Sequence, residues 1–338
     1  MNPNWRSFLE SAEAVFKDDS DEILNFGDAN GELQAAGSRT ILVPLTHLGL
    51  IEASGDDAKA FLHSQFTSDI NHLGGEQVQH SAWCTAKGRM QASFLAWREG
   101  EDFQLVVSGD LEAAALKRLQ MFVLRSKVSL RTLTASRLLL GLAGPQAAEA
   151  LGDAGLPCPL APMTTTTGGQ VSVIALEANR YIIATTMEAL PTLWHKLTLK
   201  ARPAGLPVWR WLDIQAGFPL VTAATREEFV PQMADFEKLG GISFHKGCYP
   251  GQEIVARTQY LGKVKRHLYR IHGEQLLEAG ADLHSPDNPD QACGKIVSGA
   301  PSPAGGYEAL AVVQSNFAAN LHLGSRDGPK IEAVAVNS

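Results

Sequence analysis

The sequence predicts an α+β protein: two antiparallel sheets, each covered by helices, with a small β-barrel closing the C-terminal end. Three observations carry this. Apolar runs come in adjacent pairs, as in V-S-V-I-A-L followed by R-Y-I-I-A-T, which is hairpin order rather than the strand–helix–strand succession of a parallel sheet. Helical stretches rich in Ala and Leu stand between those pairs. From about Leu268 the pattern turns to short alternating strands, L-Y-R-I-H, G-K-I-V-S, A-L-A-V-V and I-E-A-V-A-V, separated by Gly, Pro and Asn turns. At 338 residues the chain exceeds one ordinary core. It divides into an N-terminal extension (1–39), a first α+β domain (40–134), a second that can interleave with it (135–245), and a glycine-rich loop with the barrel (246–338).

Taken in order, Trp5, Phe8, Leu9, Ala12 and Phe16 fall near helical spacing, so residues 4–17 read as a peripheral amphipathic helix, followed by an acidic link to about position 40. I-L-V-P-L-T-H-L-G-L-I-E-A-S supplies one or two strands, and Asp56 or Asp57 caps a helix bearing Ala60, Phe61, Leu62 and Phe66. Trp83 to Met90 reads as a strand, a turn at Ala86 to Gly88 and a return strand, giving a hairpin with a basic tip. A strand to Ser108, a helix from Leu111 to Leu124, and strands at Val128 to Leu133 and Ser136 to Leu142 follow. Gly144-Pro145 opens a helix to about Leu151. Residues 152–169, with three prolines and four threonines in a row, read as a loop. A hairpin and a helix from Ala189 to Leu199 complete this half.

Chemistry concentrates at G-G-I-S-F-H-K-G-C-Y-P-G-Q-E-I-V-A-R, Gly240 to Arg257. A thiol acts as nucleophile or metal ligand only as thiolate, and Lys246 and His245 just before Cys248 favour that charge. Gly247 and Gly251 let the backbone turn tightly, and Pro250 stiffens it. This reading gives Cys248 a functional, acidified thiol with Lys246 as its activator. The other reading makes Cys248 a small buried hydrophobe in a turn.

K-G-C-Y-x-G-Q-E, preceded by L-G-G-I-S-F, resembles the hallmark of the YgfZ branch of the YgfZ/GcvT folate-binding proteins. Lys246, Gly247, Cys248, Tyr249, Gly251, Gln252 and Glu253 match every fixed place. Gly55, Asp57, Ala58, Phe61, Leu62 and Gln65 fit the family's G-x-D-A-x-x-F-L-x-x-Q, and Cys84 to Met90 its C-x-x-K-G-[KR]-M hairpin. The resemblance implies a GcvT-like pair of domains around a central cleft, and a cytoplasmic protein that binds tetrahydrofolate or a one-carbon or polyglutamyl derivative. It also implies help in assembling or repairing iron–sulfur clusters of transiently bound client enzymes, one of them tRNA-modifying. Trp209, which by residue chemistry reads like Trp211 as a core aromatic, then stands at a pterin-contacting position and Gln215 where the family commonly has glutamate; Arg257 is a third folate contact, and Cys84 is either a second thiol close to Cys248 or a buried group packed beneath its hairpin. The aminomethyltransferase branch carries an acid on the second hairpin strand, where this chain has Gln91 and Ala92, so the resemblance disfavours that activity.

Composition excludes several classes. A hydrophobic share of 45%, a charged share of 19% and a formal charge of −7 describe a globular chain unsuited to bulk binding of nucleic acid or anionic membrane. Cys84, Cys158, Cys248 and Cys293 lie far apart with no metal-ligand spacing, so no stable metal site and no disulfide framework is expected. His63, His72 and His80 read as ordinary histidines. No dinucleotide, P-loop or H-E-x-x-H motif occurs. Against the acidic balance, Arg257, Lys263, Lys265, Arg266 and Arg270 form a stretch free of acids. It reads either as the solvated face of an alternating strand or as a site for an anion, a folate's glutamyl tail or RNA phosphate, with direct nucleic-acid binding the less favoured.

Overall fold

The computed structural model describes residues 1–260, 262, 264–288 and 290–336. Lys263 of the basic stretch lies outside them. The chain folds into two compact units, each assembled from discontinuous segments: Met1–Phe61, Asn71–Gln79 and Leu95–Trp209 in the first, Leu62–Ile70, His80–Phe94 and Arg210–Ser338 in the second.

The first unit contains a six-stranded sheet in the order Thr164–Gly168, Val171–Glu177, Arg180–Thr186, Arg137–Ala143, Ile41–Pro44, Arg202–Pro203. Every neighbouring pair is antiparallel except the last. Alternate residues of the inner strands, such as Leu138, Leu140, Leu142, Val173 and Ile183, enter one core with Leu151, Leu193 and Leu197 from the helices Ala147–Ala154 and Leu190–Thr198. In the same unit Leu48–Ser54 lies between Asp102–Ser108 and Ser129–Thr132, and Leu95–Glu99 pairs with Asp102–Val106. The helix Gly109–Val123 buries Leu111, Ala115 and Leu119, spaced four residues apart on one face.

The opening helix, Pro3–Ser11, is no peripheral arm: Trp5 and Leu9 are buried in the main core of the first unit, and Asn2 caps its Asn4 N–H at 2.9 Å. The segment after it holds a two-stranded ribbon and the helix Ala29–Ala35, whose Glu32 is buried and accepts from the Phe26 and Gly205 N–H groups. Likewise Thr164–Gly168 is an edge strand rather than loop, since its β-branched side chains suit a pleated surface and its backbone pairs with Val171–Glu177.

The second unit carries the closed barrel, ordered Arg266–Gly273, Tyr307–Gln314, Gly294–Pro301, Asp282–His284, Leu321–Leu323, Lys330–Ala335. Ile271, Leu283, Ile296, Ala311, Val313, Leu321 and Ile331 fill it. Closure removes the sheet edges that strands this short would otherwise expose. Among the described residues no helix is long and apolar enough to cross a membrane.

Candidate functional site

The cysteine loop is held to the body of the second unit at both ends. At its start, the Thr67 hydroxyl donates to the Gly241 carbonyl at 2.6 Å, and the Ser243 N–H donates to the Thr67 carbonyl at 2.8 Å. Beyond it, the helix Gln252–Tyr260 is fixed from below by the buried Gln232 amide, which donates to the Val255 carbonyl at 2.7 Å. Between them Gly251 takes φ +82°, and a Cβ there would lie 2.4 Å from the Thr85 carbonyl oxygen and 2.7 Å from the Gly88 Cα. The loop thus rests directly on the tip of the hairpin, whose own turn is closed by the Gly88 N–H on the Thr85 carbonyl at 2.9 Å. Glycine is required at 251 on both counts. Gly247 is different, because a Cβ there would meet only His63 Nε2 at 3.7 Å, an ordinary contact.

Lys246 has a structural role that the sequence does not announce. Its ammonium donates to the carbonyls of His63, Phe66 (2.5 Å) and Ser68 (2.9 Å), at and just beyond the end of the helix Ala58–Gln65. A helix end leaves such carbonyls without partners, and a cation is favoured there. All three N–H donors of the ammonium are therefore used, which makes Lys246 an anchor of the loop. Burial pulls Lys246 down from 10.5 to about 8, opposed by Asp69. The Tyr249 ring lies 5.2 Å from the same ammonium; Tyr249 is buried, which pushes its phenol up. Cys248 stands between these two anchored side chains, and it is exposed. It is the one exposed cysteine of the four: Cys84 and Cys293 are buried, Cys158 is half-buried, and all are free thiols.

The other site residues named from sequence scatter. Cys84 is 1% exposed and burial pushes its thiol up to about 12, so it is an inert core group and not a second reactive thiol. Trp209 is 1% exposed; its ring fills the space a side chain at Gly141 would occupy, with the Arg180 guanidinium 4.7 Å from its centroid. It is a core aromatic with no surface left for a pterin. Gln215 is also taken, since its amide donates to Glu308 and its carbonyl accepts from Arg270 at 2.9 Å. Where the family's glutamate would face Glu308 as a second carboxylate, an amide satisfies both neighbours. Arg257 is exposed on the helix Gln252–Tyr260, and the basic stretch is accordingly not one alternating strand. Glu253 lies in the first turn of that helix, where a carboxylate suits the helix dipole. Gln252 directs its amide at the Gly247 carbonyl, 3.4 Å away. His63 pairs with Asp69 at 3.3 Å, and among the described residues no group of three or more His, Cys, Asp or Glu could hold a metal. Two atoms that sequence reasoning passed over are buried and unpartnered: Gln91 Oε1, on the hairpin strand where aminomethyltransferases have an acid, and Trp211 Nε1. The missing acid drew attention to Gln91 only as a departure.

Residues 14–239 match the family model described as the GCVT N-terminal domain. The chain is 32% identical over 304 residues to the tRNA-modifying protein YgfZ of Yersinia pestis (strain Pestoides F), covering 88% of this chain and 92% of that one. It is 34% identical over 246 residues to the tRNA-modifying protein YgfZ of Escherichia fergusonii, covering 72% of this chain and 75% of that one. Among solved structures, the glycine cleavage system aminomethyltransferase T from Bartonella henselae superposes with a TM-score of 0.78 over 100% of this chain and 97% of the other, at 20% identity, which shows a shared fold. With the GCVT N-terminal domain matched over most of this chain and these identities spanning most of both sequences, the chain belongs to the YgfZ family.

Proposed function

We propose that this protein is a folate-binding accessory factor that uses Cys248 on behalf of partner enzymes, in the assembly or repair of their iron–sulfur clusters, including an enzyme that modifies tRNA. The observation that carries the reading is the contrast at position 248. A loop held by Thr67, Gln232, Lys246 and the Gly251 contact presents a single exposed thiol, while two of the other three cysteines are buried. A buried structural cysteine needs no such scaffold, and a thiol that must meet a partner's sulfur or iron does. Reduced folate, when bound, supplies one-carbon carriage. Trp209 and Gln215 do not fit that ligand, being spent in the core and on Glu308 and Arg270; Gln91 Oε1 is a buried acceptor suited to the donor edge of a pterin, and Trp211 Nε1 a buried donor. A neutral amide at 91 accepts a hydrogen bond but is no general base, which separates this chain from aminomethyl transfer.

The test combines two measurements. Cys248→Ala is expected to melt within a degree or two of the wild type and to fail to complement a strain lacking the protein, whereas Cys158→Ala complements. Complementation by Cys248→Ala would remove the thiol from the mechanism. Titration with tetrahydrofolate, followed by tryptophan fluorescence, checks the ligand: a saturable change is expected, and its absence at millimolar folate would remove the folate half of the reading.

A further inference from the structure

Between Glu253, exposed in the first turn of the helix Gln252–Tyr260, and Glu274 the sequence carries cations and no acid, in a chain whose formal charge is −7. The segment Lys246 to Phe244 runs back alongside the helix Gln252–Tyr260: Gly247 meets Gln252 at the helix start, and Phe244 meets Tyr260 at its end, with ring centroids 5.9 Å apart and nearly perpendicular. That helix is about 12 Å long, so Cys248 and the whole exposed face of the helix lie within reach of one bound segment. Exposed Arg257 sits on it, and Tyr260 is 66% exposed. Lys87 is exposed at the hairpin tip, next to Gly88, which abuts Ile254 of the same helix. Lys265 is exposed and Arg266 half-buried just beyond the helix. None of these four cations has a carboxylate partner among the described residues, whereas Arg270, further along the barrel strand, is engaged by Gln215.

We propose that Lys87, Arg257, Lys265 and Arg266, with Tyr260, form a docking surface that selects an acidic segment of a partner protein and brings it to Cys248. Four cations without a carboxylate partner, one at the hairpin tip, one on the helix and two just beyond it, suit a short run of carboxylates, and Tyr260 with Phe244 behind it offers an apolar anchor of the kind that dominates interfaces. RNA fits this surface less well. It would need a longer continuous track of cations, would meet the repulsion of the acidic remainder, and would find a single exposed ring for stacking. The inference rests on the reading of Cys248 as the group that meets partners, and it adds which partners.

The test uses two peptides of equal length, one rich in Glu and one rich in Lys, each carrying a cysteine activated as its thionitrobenzoate disulfide, against the full chain bearing Cys158→Ser. The Cys248 thiolate attacks the peptide sulfur, a protein–peptide disulfide forms, and thionitrobenzoate leaves with the electron pair and is read by absorbance. With each rate divided by that for uncharged dipyridyl disulfide, the acidic peptide is expected to react about tenfold faster than the basic one at low salt, the excess falling toward unity at high salt. Lys87→Glu/Lys265→Glu/Arg266→Glu is expected to reverse the preference. Equal normalised rates at low salt would overturn the proposal, as would protection of the thiol from iodoacetamide by a 20-nucleotide RNA but not by a cysteine-free acidic peptide. Failure of Cys248→Ala to lose function in cells would strike the proposed function and leave this charge preference standing.

Discussion

Replacing Lys246 by Met removes the ammonium and keeps most of the stem, so the change reads the anchor itself. Three carbonyls, of His63, Phe66 and Ser68, lose their donor. A hydrogen bond to a charged group contributes about 1.5–3 kcal/mol, but water reaches part of this site and the variant no longer buries an ammonium; a net loss of about 2 kcal/mol is expected at pH 7. The pH dependence has a fixed sign. Burial lowers Lys246 from 10.5 to about 8 in the folded state, so between those values the unfolded chain binds the extra proton and stability gained from this group rises with pH. Urea unfolding of both proteins from pH 7 to pH 10 should therefore show the wild type's advantage widening above about pH 8. A methionine variant as stable as the wild type at pH 7 would refute the anchor assignment, and a difference that shrinks above pH 8 would refute the lowered pKa. The same variant should leave Cys248 on a looser loop, with faster proteolysis between residues 243 and 251 in the native state.

Three further outcomes follow from packing. Gly251→Ala should cost about 2–4 kcal/mol, for the positive φ and the collision with the Thr85 carbonyl, while Gly247→Ala should change stability by less than about 1 kcal/mol; equal effects in thermal melts would contradict the contact drawn between loop and hairpin. Gln215→Glu places a carboxylate against Glu308, with Arg270 offsetting part of the repulsion, and should destabilise by about 1 kcal/mol; adding Glu308→Gln should restore the loss, and no recovery would mean the two are not coupled. Gln91→Leu should weaken tetrahydrofolate binding about three- to tenfold by calorimetry, the worth of one neutral hydrogen bond, and unchanged affinity would free Gln91 from the ligand.

Periodicity and glycine chemistry made much of this legible. The hairpin at Lys87, the pair Val171–Glu177 and Arg180–Thr186, and the barrel strands follow from alternation between turn residues, because a half-buried strand writes itself with period two. The octapeptide around Cys248 pointed to the loop. What stayed hidden depended on partners distant in sequence. Trp5 and Leu9 announce an amphipathic helix but not the core it enters, and nothing near Lys246 signals acceptors some 180 residues away. A positive charge two residues before a thiol reads as an activator, and only the fold shows the three carbonyls that take its donors. Trp209 shows the same limit, since Gly141 opens the space that draws its ring inward, and a glycine in a strand gives no hint of which side chain it admits. The threonine run was missed because prolines just before it read as loop, although β-branched residues favour the edge strand they form.

The central claim, that the exposed Cys248 thiol acts on iron–sulfur enzymes, is tested most directly by the specific activity of a [4Fe–4S] dehydratase in cells lacking this protein, grown with a mild oxidant and supplied with either wild type or Cys248→Ala at equal abundance. Wild type is expected to restore the activity while Cys248→Ala leaves it at the level of the empty strain, with the dehydratase polypeptide unchanged and its activity recoverable by chemical reconstitution of the cluster. Equal restoration by both proteins would contradict the claim.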